Sequence, residues 1–367
     1  MGLTFEPLGK FIHEVDVRNT DLSVTKLMGV NLSKQMMPSV ANIVGTDLSV
    51  YKVVNKGQFA CKLMSVGRDA CLPIALKRDD EPVIISSAYY AFEVNDENEM
   101  LSEYLMMCFL RPDFDRELWF RTGGDVRGGV TWDTFCEMPI PYIPISEQRK
   151  IVHDYQVITN RIELLRKMNE ILENLLYADF QRRFQDGKDA ALKGTPLDGW
   201  KTCELALLTD FQYGKMVPED ERSETGYPIF SGYGITGYYH EYMFEAPCIV
   251  VLARGVSGTG EVRISPKYSY ITNLSIALSL KDNDYFAYLY EYLAHDNLRA
   301  LDSGSAQSMI TIDSLNKYNV AVPSTELAKE YNDAFSKMYV VIENNQNEIE
   351  RLNRLSTVLL QHFAKGA

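Results

Sequence analysis

The sequence predicts an α+β protein: two tandem mixed α/β domains separated by an antiparallel two-helix coiled coil, with a pseudo-two-fold internal repeat. Three observations predict it. Two long stretches, one mid-chain and one toward the C-terminal end, place apolar residues at three- and four-residue steps. Each follows a longer segment in which short strand-like runs alternate with turn signals. Each of those segments closes on the same order of motifs: a small-residue loop, a Thr-x-Asp, a proline, then the helix.

The mid-chain helix is expected over 144–186. Pro144 precedes a candidate N-cap, Ser146, and Glu147 follows where the helix dipole favours an anion. The expected seam is Ile151, Tyr155, Ile158, Ile162, Leu165, Met168, Leu172 and Leu175. No Gly or Pro interrupts it before Gly187, and 187–195 reads as a polar linker closed by Gly194-Thr195-Pro196. The second helix, 323–367, opens on Pro323-Ser324-Thr325-Glu326. Its seam is Leu327, Tyr331, Phe335, Met338, Ile342, Ile349, Leu352, Leu355, Leu359 and Phe363. Asn345 occupies one step of that seam, where it either fixes the register of the helix pair or faces water.

The first domain is expected over 1–143. Val50–Val54, Gly57–Cys61 and Val83–Phe92 read as strands, and Met100–Leu110 as a helix ended by Arg111-Pro112. A Gly-rich loop, 122–129, then leads through Val130-Thr131-Trp132-Asp133 to Pro139-Ile140-Pro141. The second domain is expected over 196–322. Strands are read at Tyr227–Phe230, Cys248–Leu252 and Asn273–Leu278, and a helix at Asp284–Leu293. A Gly/Ser loop, 303–308, leads through Ile310–Asp313 to Val320–Pro323. Both halves thus run sheet, helix, small-residue loop, short strand, Pro, long helix. Thr131-x-Asp133-x-Phe135 matches Thr311-x-Asp313-x-Leu315, 180 positions later. Two repeats are too few for a solenoid, so a tandem duplication is read; the weaker alternative is two unrelated domains that each end in a helix.

The chain has 367 residues, 46% hydrophobic, which suits two or three units with real cores. No apolar run has the length to span a bilayer, and the N-terminus lacks a basic region followed by an apolar stretch. The six cysteines form no Cys-x-x-Cys pair and are expected as free thiols in a reducing cytoplasm. Five scattered histidines form no His-x-x-x-His pair. There is no Gly-x-x-x-x-Gly-Lys-Ser/Thr loop, and the glycines of 255–260 lead into a strand-like segment, which suits a turn better than a cofactor cradle. No Asn/Asp-Pro-Pro-aromatic tetrapeptide marks an amino-methyltransferase site. The sequence therefore shows no catalytic apparatus.

The chain resembles, over its whole length, the specificity subunit of type I restriction-modification systems. Pro144-Ile-Ser-Glu147-Gln148-Arg-Lys-Ile151-Val152 is similar to the start of that family's first spacer helix. Gly304-Ser305-Ala306-Gln307 resembles the small-residue loop that ends many of its recognition domains. Phe230-Ser-Gly232-Tyr-Gly234-Ile-Thr-Gly237-Tyr238 is similar to a turn common in them. Ala88–Phe92 and Gly128–Trp132 resemble one recurrent domain type. The first loop departs from the pattern, reading Gly-Gly-Asp-Val-Arg, and the second helix start has Leu327 in place of Gln.

The resemblance implies two target-recognition domains that each read half of a split duplex DNA target. The helices would act as a ruler, about 60 Å for about 40 residues against a duplex turn of about 34 Å. It implies no catalysis in this chain and no cofactor of its own. S-adenosylmethionine and ATP would belong to partner methyltransferase subunits, two of them, and to nuclease subunits where these join. Base and phosphate contacts need Arg, Lys, Asn, Gln or aromatic side chains on loops and strand ends. The candidates are Lys62, Arg68, Lys77, Arg78, Arg121 and Arg127 in the first domain, and Tyr233, Arg254, Arg263, Lys267, Asn273 and Gln307 in the second. For each, a solvated surface charge or a turn-stabilising role is the competing reading.

Charge weighs against strong DNA binding by this chain alone. The net charge is −13. Residues 1–144 hold 14 Lys and Arg against 20 Asp and Glu, and residues 195–323 hold 9 against 16. Phosphate neutralisation normally dominates affinity, so partner subunits are expected to supply much of it. A scaffold of two adaptor domains on a helical strut is the alternative that this acidity favours.

Overall fold

The computed structural model describes residues 4–39, 45–123, 129–255, 258–302 and 309–362. The chain forms two compact units. The first is Met1–Leu165 with Asn347–Ala367, and the second is Arg166–Gln346. Each long helix therefore contributes one stretch to each unit, which the sequential division at 143, 186, 195 and 322 does not convey.

In the first unit, Thr4–Pro7 pairs antiparallel with Pro139–Tyr142. Three prolines fit this ribbon because it has only two strands, so their missing N–H groups leave no ladder bond unmade. An antiparallel sheet follows in the spatial order Ile12–Val15, Tyr90–Val94, Phe59–Cys61, Ile74–Leu76. Its inner face carries Phe59 stacked on Phe92 with centroids 4.7 Å apart, and Phe135 lies 5.7 Å from Phe92. The helices Ser102–Phe109 and Pro112–Phe120 cover this core, and Pro112 starts the second, where no N–H is needed.

The second unit repeats that frame strand by strand. Lys201–Glu204 pairs antiparallel with Asn319–Val322. The sheet order is Thr209–Tyr213, Ser275–Leu280, Ile249–Leu252, Val262–Ile264, again antiparallel throughout. Equivalent hydrogen bonds recur. Tyr104 Oη donates to Pro141 O at 2.9 Å, and Tyr288 Oη to Ala321 O at 2.6 Å. Leu8 N donates to Met138 O at 2.9 Å, and Leu205 N to Tyr318 O at 2.8 Å. Val130 N donates to Leu63 O, and Ile310 N to Ala253 O. The internal repeat therefore extends to backbone register. Beyond this frame the units differ. The first adds the hairpin Met28–Val30/Met36–Pro38 and the pair Lys52–Val54/Val83–Ile85. The second adds Ile235–Tyr239, Tyr227–Phe230 and Tyr270–Ile271 as a three-stranded sheet.

Several expectations need correction. The short strand before each long helix is Pro139–Tyr142 or Asn319–Val322. Between it and the loop lies a one-turn helix, Trp132–Cys136 or Ile312–Asn316, that periodicity cannot reveal. Thr131 and Thr311 cap these helices, each accepting from the N–H three residues on. Val83–Phe92 is two strands, because Tyr89 N turns back to donate to Ser86 O.

The first long helix spans Ile145–Leu192, 48 residues, so it runs through most of the expected linker. Gly187 weakens it intrinsically. However, it lies against the Trp200 indole, which leaves no room for a Cβ. The second long helix spans Thr325–His362.

The helices pack antiparallel in each unit. In the first, Ile162 and Leu165 bury against Ile349, and Arg161 Nε donates to Glu348 Oε1 at 2.8 Å. In the second, Asn345 Nδ2 donates to Asn169 Oδ1 at 2.7 Å, and Tyr331 Oη to Leu176 O at 3.0 Å. Asn345 is buried, so it does not face water. The seam of the first helix passes through Asn169 and Leu176; Met168 and Leu175, expected there, are exposed, as is Leu355 in the second helix. Reading only apolar steps displaced the seam by one position where its buried residue is polar. Phe363 lies outside the described residues.

Candidate nucleic-acid interface

Local charge balance sorts the candidate residues. In the first unit most are already neutralised. Arg68 binds Asp69 through Nε at 2.7 Å and Nη2 at 2.8 Å, holding the Asp69 carboxyl below its ordinary range. Lys77 is buried and tied to the Asp79 carboxylate and to its carbonyl. Arg78 makes a two-pronged contact with Glu103, both bonds 2.8 Å, and Arg121 pairs with Glu117 one helical turn away at 2.9 Å. Lys34, Lys52 and Lys56 are likewise paired, with Asp115, Glu14 and Asp80.

Lys62 is different. Its Nζ lies over the Tyr89 ring, 5.6 Å from the centroid, and its charge helps lower the pKa of the Asp69 carboxyl, which Arg68 already pairs. It lines a cleft of about 370 Å³ whose walls include Met28, Val30, Met37, Tyr51 and Tyr89. Met28, Val30 and Tyr89 pack against the buried cluster of Val54, Ala60, Val83, Ile85 and Ala91, which fixes that side of the cleft. Tyr89, read from sequence as a strand residue, belongs to this site. Its Oη accepts from Val30 N at 3.4 Å.

The second unit brings three candidates to the corresponding strand end. Arg254 is exposed just beyond Ile249–Leu252, and its N–H and that of Ala253 both donate to Leu274 O, at 3.1 and 2.8 Å. That places half-buried Asn273 beside it. Tyr233, 54% exposed, lies against Gly255 and Gly258; a Cβ at Gly258 would come within 2.7 Å of its ring. Arg254 also bridges to Met309, the residue after the 303–308 loop. Glu261 takes up Arg263 at 2.9 Å. Lys267 is exposed but follows the turn at the opposite end of the strand, where Ser265 N meets Cys248 O. Arg127 and Gln307 lie outside the described residues.

Sequence reasoning missed Tyr89, Met28 and Met37. Their signal is spatial, since three separate segments meet at one cleft. Burial pushes the Cys248 thiol up to about 11, with the Ser265 hydroxyl 3.3 Å away, so it is not a thiolate at neutral pH. Among the described residues, no group of three or more His, Cys, Asp or Glu is placed to hold a metal ion, and no helix is long and apolar enough to cross a membrane.

Comparison with known proteins agrees with the repeat. Residues 198–354 match the family described as type I restriction modification DNA specificity domain. The chain is 23% identical over 299 residues to the type I restriction enzyme MjaIX specificity subunit of Methanocaldococcus jannaschii, covering 73% of this chain and 69% of that one. In fold it is similar to the crystal structure of the type I restriction-modification S subunit from M. genitalium. The TM-score is 0.63 at 15% identity, over 98% of this chain and 95% of that one. The matched domain lies in the second half, the first half repeats its strand frame, and the chain is similar in sequence to one type I specificity subunit and in fold to another.

Proposed function

We propose that this chain reads a bipartite duplex DNA target, one half-site per unit, and directs cytoplasmic methyltransferase subunits, with nuclease subunits where these join. The observation that carries this reading is the repeated strand end. In both units a strand of the frame ends beside a cation that makes no ion pair among the described residues: Lys62 in the first and Arg254 in the second. Tyr233 and Asn273 extend the second surface. Arg127 and Gln307 are assigned to the same surfaces on sequence grounds, and Lys267 to a phosphate contact at their margin. The ion-paired Arg68, Lys77, Arg78, Arg121 and Arg263 would have to leave a carboxylate to bind DNA, which makes them the weaker candidates.

The helices suit a ruler. The first has 48 residues, about 72 Å at 1.5 Å per residue, against about 34 Å per duplex turn. Inserting one heptad in each helix, to keep the pairing, should lengthen the gap between half-sites; mapping of methylated adenines that returns an unchanged gap rules the ruler out. With a net charge of −13, the isolated chain should show little specific binding at physiological salt, and two added methyltransferase subunits should restore it. Tight specific binding by the chain alone would contradict that division of labour.

A further inference from the structure

The first-unit cleft is mostly apolar: Met28, Val30 and Met37 and the rings of Tyr51 and Tyr89 offer hydrocarbon walls, Ser39 and Ser86 add hydroxyls, and Lys62 is the charged side chain among its described lining residues. Among the described residues no carboxylate lines it, although the chain holds 50 acidic residues against 37 basic ones. A donor or acceptor pressed against such walls loses its water without replacement. Base edges in the major groove present hydrogen-bonding groups with one exception, the 5-methyl group of thymine. A lysine ammonium carries donors only, and the major-groove edge that offers it two adjacent acceptors, O6 and N7, is that of guanine.

We propose that the cleft reads a thymine through its methyl group, and that Lys62 reads a guanine beside it. The half-site assigned to the first unit then contains both bases. This deepens the DNA-reading function and rests on it. Tyr89 supports the contact by holding the Lys62 ammonium over its ring, 5.6 Å from the centroid, so that the donor is placed before DNA arrives. The second unit has exposed Arg254 and Tyr233 at the equivalent end, and its half-site carries no such requirement for a methyl group.

The test uses the full chain assembled with its methyltransferase subunits. Methylated-adenine mapping gives the target. Lys62→Gln and Arg254→Gln then assign the half-sites, since each should relax one and leave the other. Binding is next measured on duplexes in which deoxyuridine replaces each thymine in turn, with unmodified protein. Loss of one methyl in the first half-site should weaken binding about fourfold, the worth of one buried methyl; replacement in the second should change nothing comparable. The proposal is overturned if the half-site that responds to Lys62 lacks thymine or guanine, or if deoxyuridine there binds as well as thymine. If Lys62→Gln does not assemble, Arg254→Gln still assigns the half-sites by elimination. A wild-type complex that binds no specific duplex would overturn the functional reading itself, and this proposal with it.

Discussion

At the end of Phe59–Cys61 the first unit keeps a lysine over a tyrosine beside a recessed cleft; at the end of Ile249–Leu252 the second unit exposes an arginine and a tyrosine. The strands beneath are in the same register, down to the tyrosine hydroxyls that reach Pro141 and Ala321. The contrast separates two kinds of constraint. A one-residue slip in the frame would turn every core side chain outward, so register is tightly held. The exposed side chains at the strand ends carry no such constraint and are free to differ. The helix pair shows the same division, with an apolar contact of Ile162, Leu165 and Ile349 in the first unit and a buried Asn169–Asn345 bond in the second.

Four measurements break or sharpen this comparison. The largest effect is expected at the strand ends. Arg254→Ala in the assembled complex should cost about 2–3 kcal/mol of specific binding and relax only the second half-site. Competition with single-base-pair variants checks this, and relaxation of both half-sites would show that the units do not read independently. Next is the helix pair. Asn169→Leu should destabilise the chain by about 2 kcal/mol, because it strands Asn345 without its partner. Adding Asn345→Leu should recover most of that loss, as an apolar contact like that of the first unit replaces the pair. Denaturant unfolding measures both. Third, Tyr104→Phe and Tyr288→Phe should each cost about 1 kcal/mol, equal within about half that value if the two frames are equivalent.

The smallest effect is confined to the second unit. His295 stacks on Tyr177 with centroids 3.5 Å apart, and its Nδ1 lies 3.2 Å from the buried Glu291 carboxylate. Burial disfavours its charge, but the hydrogen bonds and charge of Glu291 outweigh this, raising the His295 pKa above the ordinary 6.5. A raised value means the stabilisation is complete below 6.5 and is lost as pH climbs through the folded-state value. Melting temperature should therefore fall from about pH 6 to 8 more steeply in the wild type than in His295→Gln. Equal slopes would remove His295 as the cause.

The long helices were legible because periodicity is a local property: a seam at three- and four-residue steps needs no knowledge of the partner. Their details were not. Asn169 is invisible to a search for apolar steps, and its burial depends on Asn345, far along the chain. Gly187 reads as a terminator until Trp200 is seen to fill the space that it leaves. The motif repeat exposed the duplication, yet the one-turn helices capped by Thr131 and Thr311 are too short for any period to register. At the strand ends residue type alone does not show which cations are paired. Arg68, Arg78 and Lys77 are candidate DNA contacts by residue type, and the structure adds that each is ion-paired with a carboxylate of the chain. Tyr89 and the two methionines gain their meaning from hairpins that bring distant segments to Lys62.

The pairing of so many cations with the chain's own carboxylates has a consequence for specificity exchange. Each phosphate neutralised by a free lysine or arginine adds about −0.9 to the slope of log affinity against log salt. A chain whose cations are spent internally adds little to that slope, whatever bases it selects. Under the proposed function, exchanging one such chain for another on the same methyltransferase subunits should alter which sites are marked while leaving the ionic-strength response of the complex almost untouched. Choice of target and hold on the duplex would then be set by separate genes.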